Sequence, residues 1–213
     1  GTSTAIVRSP FDGVVLPHPP RQNGVAFDPA TGVLASACAD GIVRLWDAAG
    51  RTVTRELPGH AGGADALAWI HDGATLATAD HAGVVRLWNA AGEKTGELPS
   101  MAAPIPLLCE SGDGAYLAAA DDEGGVKIWT LADRKAVFTY RLRQLTVTAL
   151  AFTPAGRRFS FAASSGEIHN RFTDDFRAMD RLPAEEGRVD GLLWIDEQRI
   201  LAAGERGVVQ WVP

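Results

Sequence analysis

Apolar residues in this chain fall into short runs, each closed by a turn, and nowhere do they recur at the three-to-four spacing of an amphipathic helix. From residue 24 one order of runs repeats: an apolar strand, a polar turn, a strand of small residues, a tight turn with Gly, a strand ending near Trp, and a more polar strand. The first unit reads 24–27, a turn at 28–32, 33–38, a turn at 39–41, 42–46 and 52–57. The second runs through 66–69, 75–79, 84–88 and 94–98, and the third through 106–109 to 126–129. The fourth begins at 148–152 and the fifth at 191–194. The equivalent positions Phe27, Trp69, Cys109, Phe152 and Trp194 lie 42, 40, 43 and 42 residues apart, and residues 41–50 recur almost letter for letter at 83–92. A period of about 40–45 residues with strand and turn signals predicts an all-β repeat protein of four-stranded antiparallel units.

The polarity of the strands has a physical cause. In a radial array of small sheets the innermost strand is packed on both faces, and the outermost meets water and carries charge. Small residues in the second strands (34–37, 76–79, 117–120) let neighbouring sheets approach, and the Trp of the third strand fills the space beside them. We expect a single domain, 1–213, with repeats at about 22–60, 61–100, 101–143, 144–184 and 185–213 and an N-terminal closing segment at 1–20. Within that segment, 4–8 and 13–16 are β-rich and parted by Ser9-Pro10-Phe11-Asp12, a turn signal. The last unit stops at 208–212 without a fourth strand, so 13–16 is expected to pair there and cover the open edge. Residues 5–8 also resemble 41–44, which leaves a larger ring, or self-association of an incomplete one, as the alternative.

Composition narrows the partners. The chain has 213 residues, 46% of them hydrophobic, and a formal charge of −6, so no overall basic character favours nucleic acid. No apolar run approaches the length of a membrane span, and we expect no membrane partner and a cytoplasmic location. Cys38 and Cys109 lie within apolar runs and read as buried small hydrophobes rather than a disulfide or metal pair. The clean repeats and the Ala- and Arg-rich composition point to a bacterial source.

These residues resemble the WD-repeat β-propeller family, with Trp46-Asp47 and Gly59-His60 as literal matches to its two signature dipeptides; the resemblance covers 24–212. It implies a propeller, for which the five first strands give about five blades, and a buried hydrogen-bonded set in each well-formed blade: a His before the first strand, a Ser or Thr in the second, an Asp in the following tight turn and the Trp of the third. Carried over by position, the first blade has His18, Ser36, Asp40 and Trp46, and the second has His60, Thr78 and Trp88 with Ala82 in place of the Asp. The third keeps only Trp129, with Ser100, Ala119 and Glu123 elsewhere. The fourth has Arg143, Phe161, Ser165 and Arg171, which reads first as drift in a fold that tolerates degenerate repeats and second as a wetter or partner-facing blade.

Function is sought at the starts of the inner strands. Asn23, Asp65, Ile105, Thr148 and Asp190 are expected on the rim of a central channel, where oxygen groups suit a cation, an ammonium group or a basic peptide side chain. Asp80, His81 and His169 are expected on second-to-third-strand loops of the same face, beside the acidic turn Asp121-Asp122-Glu123, with Arg141 and Arg143 able to receive an acidic peptide. No nucleophile elbow, paired-His metal motif or phosphate-cradling Gly loop is present in the sequence. The family resemblance implies a non-catalytic platform for a protein or peptide, with no cofactor and no metal. A small-molecule or glycan-binding propeller is the alternative, and a hydrolase using Asp65 and Asp190 across the channel is the weakest reading.

Overall fold

In the computed structural model, residues 4–8, 13–17, 22–28, 30–47, 52–70, 73–179, 182, 187–205 and 207–212 are described, and every regular element among them is a β-strand. They belong to two compact units, 1–97 and 98–213.

The first unit opens with a hairpin of β1 (Thr4–Arg8) and β2 (Gly13–Pro17), paired from Thr4 opposite Pro17 to Arg8 opposite Gly13. Residues 13–16 were expected as the outer strand of the last sheet; their hydrogen-bonded neighbour is instead the strand just before them. Joining two adjacent β-rich runs closes a short loop, which costs far less chain entropy than joining segments at opposite ends of the sequence. Next come two four-stranded meanders. The first is β3 (Gln22–Phe27), β4 (Val33–Cys38), β5 (Val43–Asp47) and β6 (Thr52–Leu57). The second is β7 (Ala64–Trp69), β8 (Thr75–Asp80), β9 (Val85–Asn89) and β10 (Lys94–Leu98).

Packing follows the polarity pattern. Ala35, Ala37, Val43, Leu45 and Leu57 of the first sheet meet Ala64, Leu67, Leu76 and Trp88 of the second in one buried cluster. Alanine in β4 and β8 has no side chain beyond Cβ, so the neighbouring sheet can approach until large residues fill the gap. Trp46 stands opposite Leu34 and Trp88 opposite Leu76, and both indoles are buried. β6 is exposed except at Leu57, as an outer strand should be.

The second unit holds a third four-stranded meander, β11 (Leu107–Glu110), β12 (Tyr116–Ala120), β13 (Gly125–Thr130) and β14 (Ala136–Arg141). Two three-stranded sheets follow: β15 (Val147–Phe152), β16 (Arg158–Ala163) and β17 (Ile168–Phe172), then β18 (Val189–Trp194), β19 (Ile200–Gly204) and β20 (Gly207–Trp211). Cys38 and Cys109 are thiols rather than a disulfide. Burial pushes the Cys109 thiol up to about 11, which keeps it protonated and unreactive at neutral pH.

The fourth sheet decides between two readings. The degenerate repeat left a wetter blade as the alternative to drift, yet Phe159 and Phe161 are completely buried and Phe152 nearly so. Arg171 does take the place of the missing Trp, opposite Phe159, but its guanidinium lies over the rings of Phe138 (5.6 Å) and Tyr140 (5.2 Å). His169 was expected on an exposed loop; it is a buried residue of β17, stacked on Phe161 at 4.7 Å. Aromatic side chains thus supply the bulk that an indole supplies in the other sheets, and the apolar environment is kept by different residues. The polar set moves as well: Trp194 Nε1 donates to Ser160 Oγ at 3.0 Å, and Ser160 Oγ donates to Asn170 Oδ1 at 2.6 Å.

Candidate functional site

Four first strands share one irregularity. The pairing of β3 with β4 slips between Gln22 and Gly24, that of β7 with β8 between Ala64 and Ala66, that of β15 with β16 between Val147 and Ala149, and that of β18 with β19 between Val189 and Gly191. The residues passed over are Asn23, Asp65, Thr148 and Asp190. A bulged residue leaves the ladder and its side chain is re-aimed, which is why bulges gather beside binding sites. Counting back from the end-of-strand aromatic thus selected the bulge position in these four sheets. The third sheet differs: Ile105 precedes β11 and is completely buried, so it is not a rim residue.

In the first unit two bulges come together. Asn23 Nδ2 donates to Ala64 O at 2.9 Å and to Asp65 Oδ1 at 3.2 Å, while His81 Nδ1 lies 3.3 Å from Asp65 Oδ2. His81 is well exposed, in the turn after β8, and its backbone N–H donates to Gly63 O. Asn23, Asp65 and His81 therefore form one polar cluster at one end of two adjacent sheets, with a carboxylate at its centre. In the second unit Thr148 Oγ1 donates to Ala162 O at 3.4 Å, and Asp190 pairs with Arg188 at 2.7 Å.

Asp80 departs from its expected place on an exposed loop. It ends β8, is wholly buried, and accepts from Ala82 N (3.0 Å), Val84 N (2.9 Å) and Arg86 Nη1 (2.5 Å). Its carboxylate shapes the turn in which Ala82 offers no side-chain acceptor, so it has a structural task and is removed from the candidate rim. Asp121 repeats the arrangement in the third sheet, accepting from Glu123 N, Gly125 N and Arg141 Nη2. Arg141 also reaches Glu123 Oε2 at 3.2 Å, and Arg143 is exposed beyond β14. These buried acids were missed, although a partial signal exists: the last residue of the second strand is followed six residues later by an arginine that reaches it in both Cys38/Arg44 and Asp80/Arg86.

The buried set implied by the family resemblance is present in the second sheet. Trp88 Nε1 donates to Thr78 Oγ1 at 2.8 Å, Thr78 Oγ1 lies 2.8 Å from His60 Nε2, and His60 Nδ1 lies 3.3 Å from Gly41 O. A carbonyl can only accept, so in this geometry Nδ1 carries the proton and Nε2 accepts from Thr78, giving a one-way chain of donors with a neutral ring. In the first sheet Trp46 Nε1 donates to Ser36 Oγ at 2.8 Å, and Asp40 accepts from Ile42 N and pairs with Arg44 at 2.8 Å. His18 lies outside the described residues.

Burial, reinforced by the charge of Arg86, holds the His60 imidazole below its ordinary value of 6.5. The unfolded chain therefore takes up this proton first, so the stability His60 contributes is complete above about pH 6.5 and is lost as pH falls through the depressed folded value. A histidine NMR titration should place His60 below 6.5, with acid loss of stability in that window reduced in His60→Gln. A His60 titration at or above 6.5 would contradict the neutral donor chain. The Thr31 hydroxyl and the Ala30 and Thr31 amides hold the Asp28 carboxyl low as well, but its contribution is lost only at lower pH, in the carboxylate range.

Comparison with known proteins agrees with this geometry. The family of the WD domain, G-beta repeat, matches residues 14–47 and 51–89. Among solved structures, a chain of the one titled "Crystal Structure of Mitotic Checkpoint Complex" superposes with a TM-score of 0.85 at 18% identity, over 95% of the present chain. The match takes in 65% of that chain, so the present sequence spans about two thirds of its length. At this identity the likeness speaks for the fold. No curated protein matches in sequence.

Proposed function

From a chain that carries WD repeats at 14–47 and 51–89 and shares the all-β propeller fold, we infer a non-catalytic platform that binds a protein or an extended peptide. WD-repeat propellers generally mediate contacts between proteins, and the same fold can host many functions, so the argument must rest on a site. The observation that carries it is the repeated bulge: four rigid first strands each release one polar side chain from the ladder, and in the first unit Asn23, Asp65 and the loop residue His81 meet. A group with an ammonium or guanidinium head suits the Asp65 carboxylate, and the strands hold that carboxylate in place at little entropic cost. We place the protein in the cytoplasm on the same reading.

Affinity capture from the cell that makes this protein tests the proposal. Wild type should retain a stoichiometric protein partner, and the double variant Asp65→Ala, His81→Ala should lose it by about tenfold or more in affinity, the loss of about 1.4 kcal/mol that one charge-assisted contact can supply. Identical retention by the two proteins removes this cluster from the interface. Binding to a glycan array with no protein partner replaces the platform with the sugar-binding alternative.

A further inference from the structure

A cavity of about 340 Å³, with apolar walls and a few charged groups, lies against the third sheet, well apart in sequence from the bulged rim residues of the first unit. Its walls include Ser100, Asp121, Lys127, Thr139 and Arg141. Lys127 stands opposite Thr139 and Gly125 opposite Arg141 in the pairing of β13 with β14, so these side chains share a face of the sheet. Gly125 leaves room there: a Cβ at that position would fall 2.3 Å from Asp121 Oδ2.

The charges in this cavity are unequally matched. Arg141 is spoken for, since Nη2 donates to Asp121 at 3.3 Å and Nη1 to Glu123 at 3.2 Å. Lys127 Nζ donates to the Ser100 carbonyl at 2.6 Å and lies 6.0 Å from the centre of the Trp129 ring. An ammonium group has three N–H donors, and a carbonyl contact neutralises no charge. Arg141 is thus shared between two carboxylates, whereas the Lys127 ammonium in the same lining meets no carboxylate among the described residues. The Asp121 carboxylate in the same wall opposes a doubly charged ligand, because like charges at short range raise its cost.

We propose that this cavity receives the carboxylate of an Asp or Glu side chain from an extended segment of a partner, with Lys127 as its anchor and the Thr139 hydroxyl as a second donor. This rests on the platform reading and names the chemistry of one contact. β14 is the outer strand of its sheet, hydrogen-bonded to β13 alone among the described strands. A segment laid along such an edge gains main-chain hydrogen bonds and directs alternate side chains to one face, here the face of Lys127 and Thr139.

Amide NMR titration of the whole chain tests it, using a short peptide with blocked ends and one central Glu, the same peptide with Gln, and inorganic phosphate. The Glu peptide should shift amides at 100–102, 125–127 and 139–141 and bind about tenfold more tightly than the Gln peptide, a difference of about 1.4 kcal/mol. Lys127→Met should erase that preference, and Thr139→Val should reduce it while the fold is retained. Equal binding of the two peptides, no shift with Glu, or a preference that survives Lys127→Met would overturn the proposal. A stronger response to phosphate would overturn the carboxylate assignment. Shifts confined to residues 23, 65 and 81 would overturn it too, yet leave the platform reading standing.

Discussion

Arg86→Met should lower the unfolding free energy by about 3–5 kcal/mol, the loss that follows when one partner of a buried ion pair is removed. Asp80 is completely buried and Arg86 supplies its only side-chain cation among the described residues, while Ala82 N and Val84 N satisfy the carboxylate's other oxygen. Methionine has about the right length to keep the packing but leaves the negative charge in a low-dielectric site without its partner. Adding Asp80→Asn should restore part of the loss, because the amide oxygen can still accept from the two turn amides and no charge is stranded. Urea denaturation followed by tryptophan fluorescence reads both effects. A single variant that costs less than about 1 kcal/mol, or a double variant in which the two losses simply add, would show that this pair does not hold the turn.

Trp129→Ala should cost a similar amount, about 3–5 kcal/mol, by opening a cavity that the surrounding strands cannot close. Its indole is fully buried opposite Leu117, and Nε1 donates to Pro99 O at 3.2 Å, tying the segment before the third sheet to the sheet itself. Trp129→Phe keeps much of the volume and loses the hydrogen bond, so it should cost clearly less than Ala. Equal losses for the two variants would assign the stabilisation to the Pro99 contact rather than to volume. Arg171 offers the contrast. It holds the same place in the fourth sheet, half-buried over two aromatic rings, and the buried bulk there comes from Phe159 and Phe161.

Much of this architecture could be read from residue order. The period of about 42 residues, the alanines of the second strands and the charges of the outer strands located the sheets and their polarity, because local turn chemistry and strand patterning act over a few residues. The positions Asn23, Asp65, Thr148 and Asp190 were legible as strand starts, and three members of the second blade's hydrogen-bonded set, His60, Thr78 and Trp88, followed from the family resemblance carried over by position. Asp80 was not legible. In sequence it looks like one more acidic residue beside a turn, and only its enclosure by the turn amides and Arg86 shows that it is buried.

The fourth repeat makes the same point from the other direction. Its departures from the pattern at Phe161 and Arg171 left both drift and a solvated blade open, since a pattern match scores each position alone. Burial depends instead on what stands opposite, and Tyr140, Phe138 and His169 compensate for the absent indole. In the N-terminal region the sequence marked two strands and assigned 13–16 to the edge at 208–212; the structure pairs the two strands with each other. The sequence by itself determined the strands, their turns and the repeat, because these depend on neighbours along the chain. Tertiary structure alone decided which polar groups are enclosed, which bulged side chains meet and which cation in the third sheet meets no carboxylate among the described residues, because those depend on distances between residues far apart in sequence.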